Sequence, residues 1–156
     1  MILKTGDKAP EFKLFNTQKK EVSLSEYSGK NVVLLFYPFA FSGTCTKELC
    51  YINGNYELYN SLNAVIFGIS NDSVFTQIKY KQDQNLSFEL LSDFNKEVSA
   101  KYNSLYHEFI YGTKGVTKRS AFVIDKNGII RHIQILENAS EQPDYEKLKT
   151  CLEELN

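Results

Sequence analysis

Two uninterrupted apolar runs dominate the chain, Val32-Val33-Leu34-Leu35-Phe36-Tyr37 and Ala64-Val65-Ile66-Phe67-Gly68-Ile69-Ser70. Both are short and rich in β-branched and aromatic side chains, which predicts buried strands over residues 31–37 and 64–70. Before the first run, the pattern predicts strands over 11–15 and 21–24, joined by the polar turn Asn16-Thr17-Gln18-Lys19-Lys20. Between the runs it predicts a helix from about Cys45 to Leu62, with Tyr51, Leu58 and Leu62 as core contacts and Asn53-Gly54-Asn55 weakening its middle. Beyond the second run, Asn71-Asp72 offers a cap for a helix to about Gln84, followed by a strand over 88–91 and a short helix over 93–101.

Residues 102–118 have mixed polarity and two glycines, and read as a long surface loop. Two strands over 120–124 and 129–136 then flank Asp125-Lys126-Asn127-Gly128, a strong Asn-Gly hairpin signal. Pro143 opens a last helix that carries Tyr145, Leu148, Leu152 and Leu155 on one face. Strands alternating with helices and closed by a hairpin predict an α/β sheet covered on both faces.

Composition narrows the function without naming it. At 156 residues, 42% hydrophobic and 24% charged, residues 1–156 fit a single domain with a sizeable core. A net charge of −1 provides no basic footprint for nucleic acid. No apolar run approaches the length of a membrane span, and the start of the chain has no signal-peptide h-region. Three cysteines form an odd set that favours a reducing, cytoplasmic setting over a structural disulfide framework. The Cys45-x4-Cys50 spacing is not that of a zinc pair, so no metal is expected.

The segment after the first run carries the chemistry. Pro38 cannot donate to a ladder and ends the strand, so Cys45 falls near a strand-to-helix junction. There the unpaired N–H groups at the positive end of the helix dipole favour a thiolate. Ser42, three residues earlier, brings a hydroxyl able to donate to that sulfur or to a substrate oxygen. Cys45 is therefore a candidate nucleophile, although free cysteine also serves as a small apolar filler.

Pro38-x-x-x-Ser42-x-x-Cys45, with Glu48 three residues on, resembles the peroxiredoxin active-site motif. Tyr37-Pro38-Phe39-Ala40-Phe41-Ser42-Gly43 is similar to the E-type members, whereas Cys45 followed by Cys50 is similar to the Q-type, or bacterioferritin-comigratory-protein, group. The likeness runs from Gly6-Asp7-Lys8-Ala9-Pro10 to Arg119-Ser120-Ala121-Phe122-Val123. Ser42 departs from the commoner threonine, keeping the hydroxyl and losing the methyl that stiffens the rotamer.

The resemblance implies a thioredoxin-like fold with an N-terminal β-hairpin extension, and a peroxidase acting on hydrogen peroxide or small organic hydroperoxides without haem, flavin or metal. Cys45 would attack, Ser42 and nearby N–H groups would donate, and Pro38 would shield the sulfur from water. Arg119, one of only two arginines, would stabilise the departing oxyanion. Glu48 would either hold Arg119 in a bidentate pair or complement the helix dipole. Cys50 would resolve the oxidised Cys45, and a thioredoxin or glutaredoxin-like dithiol would restore the enzyme, as monomer or homodimer. Five residues of intact helix put the two Cα atoms some 8–9 Å apart, whereas a disulfide needs about 7 Å or less; the helix is therefore expected to melt before the bond closes. The rivals are a one-cysteine cycle and a redox-inactive partner-binding module. Arg131 reads as an edge-strand residue, Cys151 as buried or inert, His107 and His132 as structural or exposed, and Tyr37 and Phe41 as core.

Overall fold

The computed structural model describes all 156 residues, Met1–Asn156. In chain order the elements are β1 (Lys13–Asn16), β2 (Glu21–Ser23), β3 (Asn31–Phe36), α1 (Gly43–Gly54), α2 (Tyr56–Ser61), β4 (Ala64–Ser70), α3 (Val74–Gln84) and β5 (Glu89–Ser92). They are followed by α4 (Glu97–Lys101), β6 (Leu105–Glu108), β7 (Lys114–Thr117), β8 (Ser120–Ile124), β9 (Ile130–Ile135) and α5 (Tyr145–Glu154). Seven strands form one mixed sheet in the order β2-β1-β5-β4-β3-β8-β9. β3 and β4 run parallel, as do β4 and β5, while β8 returns antiparallel against β3 and β9 against β8.

β3 and β4 lie inside the sheet because their apolar runs leave no face for water. Alternate β3 residues feed two separate cores: Val32, Leu34 and Phe36 go to one face, Val33 and Leu35 to the other. The first core is closed by Leu3, Phe12, Leu24, Val98 and Tyr102. The second is closed by helices α1, α2, α3 and α5 through Leu49, Ile52, Tyr59, Tyr80, Leu148 and Leu152. Gly68 in β4 is required by this second packing: a Cβ there would come within 2.7 Å of Leu90 Cδ2.

The N-terminal strands pair as the expected hairpin, and β1 also joins β5. The Asn127-Gly128 turn forms as expected, with Gly128 at φ 81°. Residues 102–118 are not a loop, because β6 and β7 pair there as a separate two-stranded sheet. Burial also corrects the helix reading. α1 buries Cys45, Glu48, Leu49 and Ile52, an i, i+3, i+4, i+7 stripe, whereas Tyr51 and Leu58 are exposed and Leu62 is half-buried. Phe41 is exposed too, although Tyr37 is core.

The expected weakness at Asn53-Gly54-Asn55 is a break, with Asn55 standing between α1 and α2. The α3 cap is Ser73, whose Oγ accepts from Thr76 N at 3.1 Å, and not Asn71 or Asp72. Pro143 precedes the α5 cap, Asp144, whose Oδ1 accepts from Lys147 N. No helix is long and apolar enough to cross a membrane.

Candidate active site

Strand register explains why residues 74 positions apart meet. Phe36, the last residue of β3, is the partner of Ser120, the first residue of β8. The chain leaving β3 toward α1 therefore starts beside the residue that precedes β8, which is Arg119. The guanidinium is 1% exposed. Its Nη2 donates to Cys45 Sγ at 3.1 Å, and its Nε donates to the Ala139 carbonyl at 2.9 Å.

Cys45 lies in the first turn of α1, fully buried. Ser42 is the helix N-cap, and its carbonyl accepts from Thr46 N at 3.0 Å. The N–H groups of Gly43, Thr44 and Cys45 have no acceptor in the chain, which is normal for a first turn and leaves three free donors in the turn that carries Cys45. The Ser42 hydroxyl is turned away from them, donating to the Phe39 carbonyl at 3.0 Å. Pro38 is buried beneath this loop.

Glu48 falls one helical turn beyond Cys45 on the same face and is fully buried. Its Oε1 lies 3.5 Å from Arg119 Nη1, and neither carboxylate oxygen has a hydrogen-bond partner. The pair is thus a single ion contact and not the bidentate fork that was one of the two roles open to Glu48, because the other N–H groups of Arg119 face Cys45 and Ala139. Burial pushes the Glu48 carboxyl up to about 7 against the opposing pull of Arg119. Burial draws the Arg119 pKa down, but the Glu48 and Cys45 charges more than reverse this, so the guanidinium remains a fixed cation.

Sequence reasoning missed the group that shapes the loop. Asp72 Oδ2, at the end of β4, accepts from Ala40 N at 2.8 Å and from Ser70 Oγ at 2.7 Å. Between Ala40 and Ser42, Phe41 takes a left-handed φ of 70° and lays its ring 4.9 Å from that of Tyr80. Such a conformation in a bulky residue costs on the order of 1 kcal/mol and persists only where neighbours enforce it. The sequence did mark Asp72 as a polar residue just after a buried strand, but the helix-cap reading absorbed that signal.

Other expected positions lie apart. Cys50 is exposed, its thiol 3.5 Å from Gln84 Oε1. Arg131 sits on the edge strand β9 and pairs with Asp125 at 2.6 Å. Cys151 is half-buried on α5, with its thiol pushed up by desolvation. His107 is exposed, and His132 is half-buried on β9.

The AhpC/TSA family model matches residues 5–133. The chain belongs to the AhpC/TSA family. It is 34% identical over 147 residues to peroxiredoxin Bcp of Bacillus subtilis, covering 90% of this chain and 93% of that one. It is 33% identical over 141 residues to the chloroplastic 2-Cys peroxiredoxin of Spinacia oleracea, covering 83% of this chain but only 51% of that protein, so it spans about half the length of that relative. Among solved structures, peroxidoxin BcpB from Mycobacterium tuberculosis superposes with a TM-score of 0.87 at 28% identity over 99% of both chains. The expected thioredoxin-like peroxiredoxin fold is borne out, and the relatives include the Bcp group to which the cysteine spacing pointed.

Proposed function

We propose that this peroxiredoxin is a thiol peroxidase in which Cys45 is the attacking sulfur. The observation that carries the reading is the fully buried Cys45 Sγ held at 3.1 Å by a buried arginine, in a helical turn with three unpaired N–H groups. Sulfur attacks the terminal peroxide oxygen and the O–O bond breaks. The departing oxygen takes the electron pair and a proton, leaving as water or alcohol, and Cys45 becomes a sulfenic acid. Arg119 and the first-turn N–H groups face the place where negative charge develops, which is where fixed donors are worth most.

Pro38 keeps water from the sulfur, and Glu48 holds Arg119 from behind. Ser42 serves the substrate only after its hydroxyl leaves the Phe39 carbonyl. The depth of Cys45 favours hydrogen peroxide and small organic hydroperoxides. Cys50 then attacks the sulfenic sulfur: an S–S bond forms, the S–O bond breaks, and hydroxide leaves with the Cys50 proton as water. A thioredoxin or glutaredoxin-like dithiol reduces the disulfide in a cytoplasmic setting.

α1 is continuous through both cysteines, so this step needs its turns to open; the same continuity favours, as a second reading, a one-cysteine cycle with Cys50 idle. One experiment separates them: thiol count and peptide mapping of the reduced protein after one equivalent of hydrogen peroxide. Rapid loss of two thiols with a Cys45–Cys50 link is expected. Loss of Cys45 alone selects the one-cysteine cycle, and no rapid oxidation overturns the peroxidase reading in favour of a redox-inactive binding module.

A further inference from the structure

A recess of about 910 Å³ opens at the end of the β3–β8 strand pair that is remote from Cys45. Phe36 and Ser120 are partners at the reacting end, whereas Val32 and Ile124, which line the recess, are partners four residues away along each strand. At the usual rise of a strand that separation is about 13 Å. The volume lies within the range of clefts that take one small organic molecule.

Three stretches of chain wall the recess, within residues 1–11, 24–32 and 124–128. Its floor is apolar: Leu3, Ala9, Leu24, Val32 and Ile124 all belong to the first core. Its walls are tied by backbone hydrogen bonds, from Gly6 N to the Ile130 carbonyl at 2.8 Å, Ala9 N to Gly128 at 2.9 Å and Gly29 N to Lys126 at 3.0 Å. The cleft is therefore formed before anything enters it, which lowers the ordering cost of binding.

The rim carries both signs of charge, but the carboxylates are already engaged. Glu11 accepts from Phe12 N at 3.0 Å and from Ser25 N at 3.1 Å, and Asp7 accepts from Lys4 N at 3.0 Å. Asp125 accepts from Asn127 N, Ile129 N and Arg131 Nε. Lys8 and Lys30 are exposed and belong to none of the ion pairs of the chain. What remains to meet a ligand is a pair of ammonium donors beside an apolar floor. A concave site of this kind suits one compact molecule and not the flat face of a protein partner.

We infer that the recess is a second binding site, for a free amphipathic monoanion such as a fatty or aryl carboxylate. The apolar body lies against Leu24, Val32 and Ile124, and the anionic head is directed to Lys8 and Lys30. Burial of the body drives binding, and the two ammonium groups select the sign of the head. The site stands apart from Cys45, so it does not rest on the peroxidase reading and its ligand need not be a hydroperoxide.

The test is titration of the reduced full chain with anilinonaphthalenesulfonate, an aromatic anion that emits when it leaves water, followed by fluorescence and by the backbone amide shifts of the labelled protein. One-to-one binding is expected with a Kd on the order of 10–100 µM, with shifts at Leu3, Ala9, Tyr27 and Gly128 and displacement by dodecanoate. Lys8→Glu combined with Lys30→Glu should weaken it about tenfold, and the corresponding arginine pair should hold it within about twofold; the single reversals decide the matter if the double variant does not fold.

Absence of saturable binding overturns the site, as do shifts confined elsewhere, for example around the exposed Phe15, Phe75 and Phe94. Equal affinity in the wild type and the folded charge-reversal variants overturns the anionic ligand class. Shifts at the recess amides on concentrating the protein without the probe overturn the small-molecule occupant in favour of a second copy of the chain.

Discussion

The two cysteines of α1 sit five residues apart in opposite surroundings. Cys45 is fully buried, touched by a guanidinium that is itself anchored twice, and it shares its helical face with Glu48, Leu49 and Ile52. Cys50 is exposed, and its one polar neighbour is Gln84 at 3.5 Å. One helix thus supplies a rigid, charged site at one end and an accessible thiol at the other. The same regularity that fixes Cys45 against Arg119 directs Cys50 away from it, so the geometry suited to the oxidation proposed for Cys45 is unsuited to the disulfide proposed with Cys50.

The strongest way to break this contrast is to remove the cation. Arg119→Ala is expected to lower the rate of Cys45 oxidation about 10²–10³-fold in rapid mixing with hydrogen peroxide, the usual loss for one fixed donor. It leaves Glu48 buried without a partner, and denaturant unfolding should show a loss of about 3–5 kcal/mol. Arg119→Lys keeps the charge but not the fork that reaches Cys45, Glu48 and Ala139, and should recover only part of the rate. An unaltered Arg119→Ala rate would remove Arg119 from the mechanism.

The opposite end is probed by Cys50→Ser, which should leave the first oxidation within about twofold, since nothing at Cys50 touches the Cys45 sulfur. The sulfenic acid should then become trappable and turnover with an external dithiol should collapse, read by intact mass and steady-state peroxide consumption. Undiminished turnover would establish the one-cysteine cycle.

Glu48→Gln sharpens the buried end through pH. Burial raises the Glu48 carboxyl from 4.5 to about 7, so the folded state holds a proton that the unfolded chain releases. The stability this group contributes is fully present below pH 4.5 and is lost as pH rises through about 7. Denaturant unfolding at pH 5.5 and pH 8 should show that fall in the wild type and a flatter profile in Glu48→Gln; identical slopes would contradict a raised Glu48.

The smallest effect is expected at Asp72. Asp72→Ala removes the acceptor for Ala40 N and should cost about 1–3 kcal/mol of stability, with a modest drop in oxidation rate as the loop carrying Phe41 and Ser42 loosens. A variant with wild-type stability and rate would deny Asp72 that role.

Legibility in the sequence followed the range of the interactions. β3 and β4 were readable as continuous apolar runs, and the β8–β9 hairpin from Asn127-Gly128, because each signal lies within a few residues. β6 and β7 were not, since their residues mix polarity and the strands pair only with each other, off the main sheet. The helix weakness at Asn53-Gly54-Asn55 was legible as propensity, but Asn53 is also a tether: its Oδ1 accepts from Ser87 N at 2.7 Å and its Nδ2 donates to the Asn85 carbonyl at 3.1 Å. The spacing of Tyr51 and Leu58 does not report the inward face, because Tyr51 stacks on Tyr145 of α5 at the surface and Leu58 lies beyond the break, on α2.

The sequence by itself determined the alternation of strands and helices and the placing of Cys45 at a strand-to-helix junction with Pro38 and Ser42 before it. Those features depend on local propensity and on spacing of a few residues. Only the tertiary structure decided that Arg119 reaches the sulfur, that Glu48 meets Arg119 as one ion contact, and that Asp72 holds the loop. Each of these depends on the pairing of Phe36 with Ser120 on one side or with Ile69 on the other. Such contacts join residues 32 to 74 positions apart, a separation over which no pattern along the chain carries a signal.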